Sequence, residues 1–148
     1  MLKSKDESDS VDPSEFILRR VPYNQLNNYI NIALPQPVTE LAFMPLDYDE
    51  NGISVNREYF VSADSLADIF RGNRNKECYI VRFKTKDILA LEPPLSAIPA
   101  PVDESPGHAL IPEINRIFYK KKKIECLELQ NKLANLIKIE DIIHWPNE

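Results

Sequence analysis

Twelve prolines interrupt this 148-residue chain, and they limit the length of its helices and strands more than any other feature. Proline lacks a backbone N–H donor and has a fixed φ, so it breaks helices and is confined to the ends and edges of sheets. Pro22 and Pro112 each end a short apolar run, and five prolines lie in the segment 92–106. This spacing favours short strands joined by turns over long helices.

Several segments have the composition of short strands. Residues 16–21 (FILRRV) and 78–83 (CYIVRF) are rich in β-branched and aromatic residues, and we expect the second to be a central strand. Residues 41–44 form a short apolar run that predicts a further strand. The turn-forming Asp-Glu-Asn-Gly sequence and the alternating residues after it predict a hairpin over 49–55. The remaining expected strands are 107–111 and a last strand or turn within 139–145.

Helices are predicted in three places. Ser62 can accept a backbone N–H at the start of a helix over 63–71, which Gly72 would end. A brief helix is expected over 86–91, after Thr85. The longest is expected over about 122–137, where apolar residues form one stripe that would pack on the sheet. The residues of that stripe are Cys126, Leu129, Leu133, Leu136 and Ile137.

Together these elements predict an α+β fold. We expect a mainly antiparallel sheet of five or six short strands, a short helix over about 63–71 and a longer C-terminal helix packed on one face. The composition, 43% hydrophobic and 28% charged, is that of a globular protein. Residues 1–14 hold four acidic residues and lack apolar periodicity, so we interpret them as a disordered acidic tail. Residues 15–148 would form a single domain.

The sequence gives no sign of a membrane segment. No apolar run approaches the roughly 18 residues of a membrane span, and the N-terminus lacks the apolar stretch of a signal peptide. We therefore expect a cytoplasmic protein without a membrane partner. Cys78 and Cys126 form no CxxC pair and no cluster with histidine, which predicts buried thiols and no zinc site.

One stretch matches the pattern of a calcium-binding loop. It resembles the EF-hand loop through Asp47, Asp49, Asn51 and Glu58, which would supply oxygen ligands together with the carbonyl of Ile53. It departs from that family because a proline at position 45 disfavours the incoming helix and no second loop is present. We therefore expect an ordinary Asn-Gly turn, with no metal site and no cofactor.

A basic segment lies near the C-terminus, although the net charge of the chain is −5. Phe118 and Tyr119 precede four consecutive lysines, Lys120, Lys121, Lys122 and Lys123. Aromatic rings next to lysines are typical of surfaces that bind single-stranded nucleic acid, because bases stack on the rings and phosphates pair with the lysines. A lysine run is also typical of a solvated face or of a contact surface for another protein.

The candidate catalytic residues are His108, Arg19, Arg20, Ser62 and Glu113. His108 follows a long loop that carries Asp103 and Glu104, and a histidine held by a carboxylate can act as a general acid or base. Arg19 or Arg20 in a strand, Tyr59-Phe60-Val61-Ser62 before a helix, and the late Glu113 are similar to the arrangement in ADP-ribosyltransferase-like folds. That resemblance implies nucleotide or NAD-type chemistry.

Three functions follow from these features. The chain lacks a P-loop, GxGxxG, GxSxG and HExxH, so we rank first a small accessory or regulatory protein that binds another macromolecule, most simply another protein. The first alternative is a small enzyme with ADP-ribosyltransferase-like or other nucleotide chemistry at Arg19 or Arg20, Ser62 and His108. The second alternative is a single-stranded nucleic-acid binder that uses the lysine segment.

Overall fold

The computed structural model describes residues 6–71, 77–102 and 105–146, and it confirms the α+β fold. The sheet has six strands: β1 (Phe16–Pro22), β2 (Ile53–Arg57), β3 (Cys78–Lys84), β4 (Ile98–Pro99), β5 (His108–Ile111) and β6 (Ile142–His144). The α-helices are α1 (Ala63–Arg71), α2 (Thr85–Leu89), α3 (Arg116–Lys121) and α4 (Lys123–Ala134). Single 3-10 turns cover Glu40–Phe43 and Ile139–Asp141. Within the described ranges, none of the helices combines the length and apolar character needed to cross a bilayer.

The strands run in the order β4-β5-β2-β1-β3-β6, and every neighbouring pair is antiparallel. The longest ladder joins β1 to β3, with Ile17 opposite Phe83 and Arg19 opposite Val81. Both strands were predicted from their composition, and β3 lies inside the sheet as expected, between β1 and β6. Because side chains alternate along a strand, β1 and β3 contribute to both faces of the sheet.

The larger core lies on the face that carries Ile17, Val21 and Val81. Helix α4 covers this face with the predicted apolar stripe, of which Cys126, Leu129, Leu133 and Ile137 are buried and Leu136 is half-buried. The expected packing of the C-terminal helix on one face of the sheet is therefore confirmed. The helix is shorter than predicted, since it ends at Ala134.

A smaller core lies on the opposite face, under α1. Its members are Leu18, Leu66, Ala67, Cys78 and Ile80. The helix begins as predicted, because the Ser62 hydroxyl accepts a hydrogen bond from the Ser65 backbone N–H at 3.2 Å. The predicted stop at Gly72 lies outside the described residues. Helix α1 contacts β1, β3 and β6, which form one half of the sheet.

Two strand predictions were wrong. The apolar run 41–44 is not a strand but lies in and after the 3-10 turn Glu40–Phe43, which packs against α4. A short apolar run bounded by prolines has no periodicity that separates the two structures, and here the packing against α4 decides. Residues 49–55 do not form a hairpin either, because the turn leads into β2 and β2 pairs with β1 and β5.

Gly52 fits this unpredicted arrangement. Its φ is +136°, and a Cβ atom built there would lie 2.6 Å from the Ile111 carbonyl oxygen of β5. Only glycine adopts this backbone conformation at low cost while another chain segment passes so closely.

Helix α3 and strand β4 were not predicted. Asn115 caps α3 by accepting a hydrogen bond from the Phe118 backbone N–H at 2.8 Å, a signal that sequence analysis missed. Strand β4 lies within the proline-rich segment 92–106 and pairs with β5. Pro99 is tolerated there because β4 is at the edge of the sheet, where a missing N–H donor leaves no ladder partner unsatisfied. The predicted strand or turn over 139–145 is present as a 3-10 turn followed by β6.

The segment expected to be a disordered tail contacts the domain in its described part. Arg57, at the end of β2, is fully buried and donates to both carboxylate oxygens of Glu15 at 2.9 and 2.8 Å. Its remaining N–H groups point to the backbone carbonyls of Glu7, Asp9 and Ser10 at 3.2, 2.9 and 3.4 Å. Residues 6–14 therefore accept hydrogen bonds from a buried guanidinium, whereas a disordered tail would make no such contacts. The domain boundary at residue 14 stays a prediction.

Deleting residues 1–14 is expected to lower the free energy of unfolding by about 2 kcal/mol, the usual range for hydrogen bonds to a charged group. Water would replace the lost carbonyls only in part, because the Arg57 guanidinium is enclosed. Thermal unfolding followed by circular dichroism should show a midpoint lower by roughly 4–8 °C for a chain of this size. A deletion of residues 1–5 keeps all three acceptors and is the control. An unchanged midpoint after the longer deletion would support a tail without a structural role.

Candidate functional site

The two strand arginines lie on opposite faces of the sheet, as alternation along β1 requires. Arg19 is on the face of the larger core, where its Nε donates to the Ala42 carbonyl at 3.2 Å and its Nη1 to the Ser54 carbonyl at 2.7 Å. Burial lowers the Arg19 pKa to about 10, and the nearby Asp49 carboxylate opposes this shift. Arg19 is therefore a charged group at neutral pH that holds two backbone carbonyls. Arg20 is on the face that carries Ser54.

A small cavity lies beside Arg19. Its volume is about 200 Å³, and its walls include the side chains of Tyr29, Leu41, Met44 and Leu46. The walls are mostly apolar, and the Arg19 guanidinium is already engaged with carbonyls and faced by Asp49. The cavity therefore has room for an apolar group. Arg19 itself has a structural role, because it is already bound to two backbone carbonyls.

The other residues of the predicted catalytic set bind separate partners. Ser62 caps α1, and the Glu113 carboxylate accepts hydrogen bonds from the Ser96 backbone N–H at 2.9 Å and from the Ser96 hydroxyl at 2.6 Å. Within the described ranges, no hydrogen bond or ion pair joins any two of Arg19, Ser62 and Glu113. The arrangement that resembled ADP-ribosyltransferase-like folds is thus not drawn together by direct contacts. Asp103 and Glu104, the carboxylates expected near His108, lie outside the described residues.

His108 binds a residue that sequence analysis did not select. Its Nε2 lies 3.0 Å from the Ser54 hydroxyl, and its Nδ1 lies 2.9 Å from the Ala100 carbonyl oxygen. The two strands β5 and β2 bring these residues together, because Ser54 pairs with Leu110 and Asn56 pairs with His108. Ser54 and His108 are therefore diagonal neighbours on the same face. Both side chains are half-buried.

The Ala100 contact fixes the tautomer of the neutral imidazole. A carbonyl oxygen only accepts hydrogen bonds, so Nδ1 carries the proton and donates it to Ala100. Nε2 then has a free lone pair, and the Ser54 hydroxyl donates to it. A hydroxyl that donates to an oriented imidazole is the arrangement of a serine nucleophile and its general base. Arg19 and His108, both predicted as catalytic candidates, thus meet at Ser54, at its carbonyl and its hydroxyl respectively.

Asn56 adds a buried acceptor to this face. It is 7% exposed, and its Oδ1 has no hydrogen-bond partner among the described residues. A buried polar atom without a partner costs about 1–3 kcal/mol, so such atoms are rare outside binding sites and hydrated pockets. Asn56 stands directly opposite His108 in the β2–β5 ladder. In the sequence, Asn56 alternates with the apolar Val55 of β2. This pattern could have predicted that the Asn56 side chain lies on the face opposite the larger core.

The predicted partner-binding residues lie on the hairpin formed by α3 and α4. The helices meet at Lys122, whose φ of −138° and ψ of 66° interrupt the helix, and all four lysines are exposed. Phe118 is half-buried and packs against the larger core. Tyr119 contacts two cations, because the Arg116 Cζ lies 5.2 Å and the Lys123 Nζ 5.7 Å from its ring centroid. Basic and aromatic side chains of the predicted segment thus lie in contact with one another.

Large apolar side chains are exposed on this hairpin. Ile117 is 51% and Ile124 is 70% exposed. A surface concavity of about 580 Å³ borders the hairpin where α3 meets the segment 44–48, and Tyr48, Arg116 and Tyr119 contribute to its wall. We call the surface formed by Tyr48, Arg116, Ile117 and the segment 119–124 the hairpin surface. It combines apolar and cationic side chains.

The residues of the calcium-loop pattern bind other protein groups. Asp49 Oδ2 accepts from the Leu46 backbone N–H at 2.7 Å, and Asp47 forms an ion pair of 3.1 Å with Arg116. Glu58 pairs with Arg82 at 3.3 Å. Among the described residues, no three histidine, cysteine or acidic side chains form a group able to hold a metal ion. Cys78 and Cys126 are buried free thiols as predicted, and burial raises the pKa of Cys126 to about 11.

Comparison of the chain with protein-family models, with curated proteins and with solved structures found no match. What bears on its function is therefore the geometry of its own residues, above all the hairpin surface and the Ser54–His108 pair.

Proposed function

We propose that this protein is an interaction module that binds an acidic and apolar segment of another protein through the hairpin surface. The observation that carries this proposal is the exposure of Ile117 and Ile124, which lie on either side of a run of four exposed lysines in the sequence. Exposed aliphatic side chains rimmed by charge are typical of protein contact sites. The lysines complement carboxylates, which steer a partner and fix its orientation.

A protein partner fits this surface better than single-stranded nucleic acid. Bases stack on free aromatic faces, whereas the Tyr119 ring is already in contact with Arg116 and Lys123. Ile117 and Ile124 have no planar face for stacking, but they bury well against apolar side chains. Tyr48 is the one ring of the hairpin surface with high exposure, 79%, and an aromatic anchor of this kind is common in protein interfaces.

The test is a selection of peptides from a random displayed library on the immobilised full-length protein. Selected peptides should be rich in aspartate and glutamate with interspersed large apolar residues. Their affinity should fall about tenfold with Ile124→Ser, and it should fall with added salt because the contacts between charges are screened. A variant with Lys120 to Lys123 changed to glutamine should lose binding while keeping its unfolding midpoint, since exposed lysines contribute little to stability.

Leu26→Ser is the matched control, because Leu26 is 78% exposed in a different part of the chain. Its peptide affinity should equal that of the unmodified protein. Selection of peptides without acidic residues, or an equal loss with Leu26→Ser, would contradict the proposal. A labelled single-stranded oligonucleotide is tested in parallel, and tight, salt-sensitive binding of it in place of peptides would assign the surface to nucleic acid.

A further inference from the structure

The sheet carries a second polar site, formed by side chains that are not part of the hairpin surface. It lies on the face that α1 covers over β1, β3 and β6, in the part formed by β2 and β5. Ser54, Asn56 and His108 are neighbours there by strand register. Polar side chains at three neighbouring positions of these two strands call for an explanation, because Asn56 is buried and an apolar residue there would need no hydrogen-bond partner.

Two side chains bind Ser54, one at its hydroxyl and one at its backbone carbonyl. The His108 Nε2, 3.0 Å away, can take the hydroxyl proton, and the Ala100 carbonyl keeps the imidazole in the tautomer that this requires. From the opposite face of the sheet, the Arg19 guanidinium donates to the Ser54 carbonyl at 2.7 Å, which fixes the backbone of this residue.

Asn56 lies beside the pair on its buried side. It stands opposite His108 in the ladder, and its Oδ1 is enclosed by the protein. A substrate would therefore reach the pair from the side where Ser54 and His108 are both partly exposed.

We propose that Ser54 is a nucleophile and His108 its general base, in a site that accepts acyl groups from carboxylic esters. The Ser54 Oγ bonds to the carbonyl carbon while its proton passes to the His108 Nε2. The ester C–O bond then breaks, and the leaving alkoxide takes that proton and departs as an alcohol. Water attacks the acyl-serine in the same way, releasing a carboxylic acid and restoring the hydroxyl.

The experiment uses the full-length protein and two probes, p-nitrophenyl acetate and an alkyl fluorophosphonate. Mass spectrometry of proteolytic peptides identifies the modified residue. The expected result is one acetyl or phosphonyl group on Ser54, with release of p-nitrophenol or fluoride. Ser54→Ala should remove this labelling, and His108→Gln should slow it by about 10²–10⁴-fold, the usual contribution of a general base.

Two controls separate reactivity from folding. Ser65→Ala changes an exposed serine of α1 and should leave labelling of Ser54 unchanged. The Ser54→Cys variant should react with iodoacetamide at residue 54 much faster when His108 is present than in the Ser54→Cys/His108→Gln double variant, although both keep a side chain of similar size. Unfolding midpoints of all variants show whether the domain is intact.

Modification of other residues without Ser54, or equal rates at residue 54 with and without His108, would overturn the proposal. Ser54 and His108 would then form only a hydrogen bond between strands. Failure of the Ser54 reaction would leave the hairpin surface untouched, because the peptide selection tests different residues.

Discussion

Glu15→Ala is expected to destabilise the protein by about 3–5 kcal/mol, the cost of removing one partner from a buried ion pair. Arg57 is fully buried, and Glu15 supplies both of its carboxylate contacts at 2.8 and 2.9 Å. Without the carboxylate, the guanidinium charge keeps neutral partners, namely backbone carbonyls of the N-terminal segment and the Phe60 ring, whose centroid is 5.0 Å from the Arg57 Cζ. Urea unfolding followed by circular dichroism measures the change in the free energy of unfolding.

A half-exposed ion pair of the same chain provides the comparison. Glu58 and Arg82 are 3.3 Å apart, with about a third of each side chain exposed, so Glu58→Ala should cost less than about 1 kcal/mol. If the cost of Glu15→Ala comes from an uncompensated charge, the double variant Glu15→Ala/Arg57→Met should be more stable than Glu15→Ala alone. Equal losses at Glu15 and Glu58 would show that the Arg57 charge is solvated and the pair is not structural.

Val81→Asp is expected to abolish cooperative unfolding. Val81 is fully buried in β3, between Arg19 of β1 and Ile142 of β6, and it contributes to the larger core. A carboxylate placed there costs several kcal/mol in desolvation, which is comparable to the whole stability of a typical domain. The cross-strand Arg19 guanidinium would offset this cost only in part, because it already donates to two backbone carbonyls. The expected observations are a flat thermal transition and poorly dispersed amide signals in a proton–nitrogen NMR spectrum.

Val81→Thr separates the effect of a buried charge from that of a changed side-chain shape, because threonine has nearly the same volume as valine and is uncharged. It should fold and lose about 1–3 kcal/mol, the cost of burying one hydroxyl. Lys86→Asp, at an exposed position of α2, should leave the transition nearly unchanged. A cooperative transition for Val81→Asp close to that of the unmodified protein would mean that β3 does not lie inside the sheet.

The sequence was sufficient to predict a helix or strand where its local pattern is compatible with only one type of element. β1 and β3 are short runs rich in β-branched and aromatic residues, and α1 has both a serine cap and helical apolar spacing. It was insufficient for residues 41–44, where four apolar residues fit a strand or a 3-10 turn and packing against α4 decides. The contacts of the N-terminal segment were also not predictable from its composition. Arg57 donates to backbone carbonyls there, and every residue type has such a carbonyl.

The candidate site was found only in part. His108 was selected because a loop precedes it, but Ser54 was treated merely as the polar position of an alternating strand. The basic segment was located correctly because four consecutive lysines are visible in any sequence. The exposure of Ile117 and Ile124 was not visible, since isoleucine in a helix is usually taken to face the core.

What the sequence determined by itself is therefore the set of strands and helices with strong local patterns, the α+β class and the position of the basic run. These properties depend on residues a few positions apart, and their physical basis is backbone geometry and side-chain periodicity. The tertiary structure alone decided which polar groups meet. Arg57 and Glu15 are 42 positions apart, and His108 and Ser54 are 54 apart. Such pairs arise only when strand order and register bring distant segments together, because hydrogen bonds and ion pairs act over a few ångströms and carry no signal along the chain.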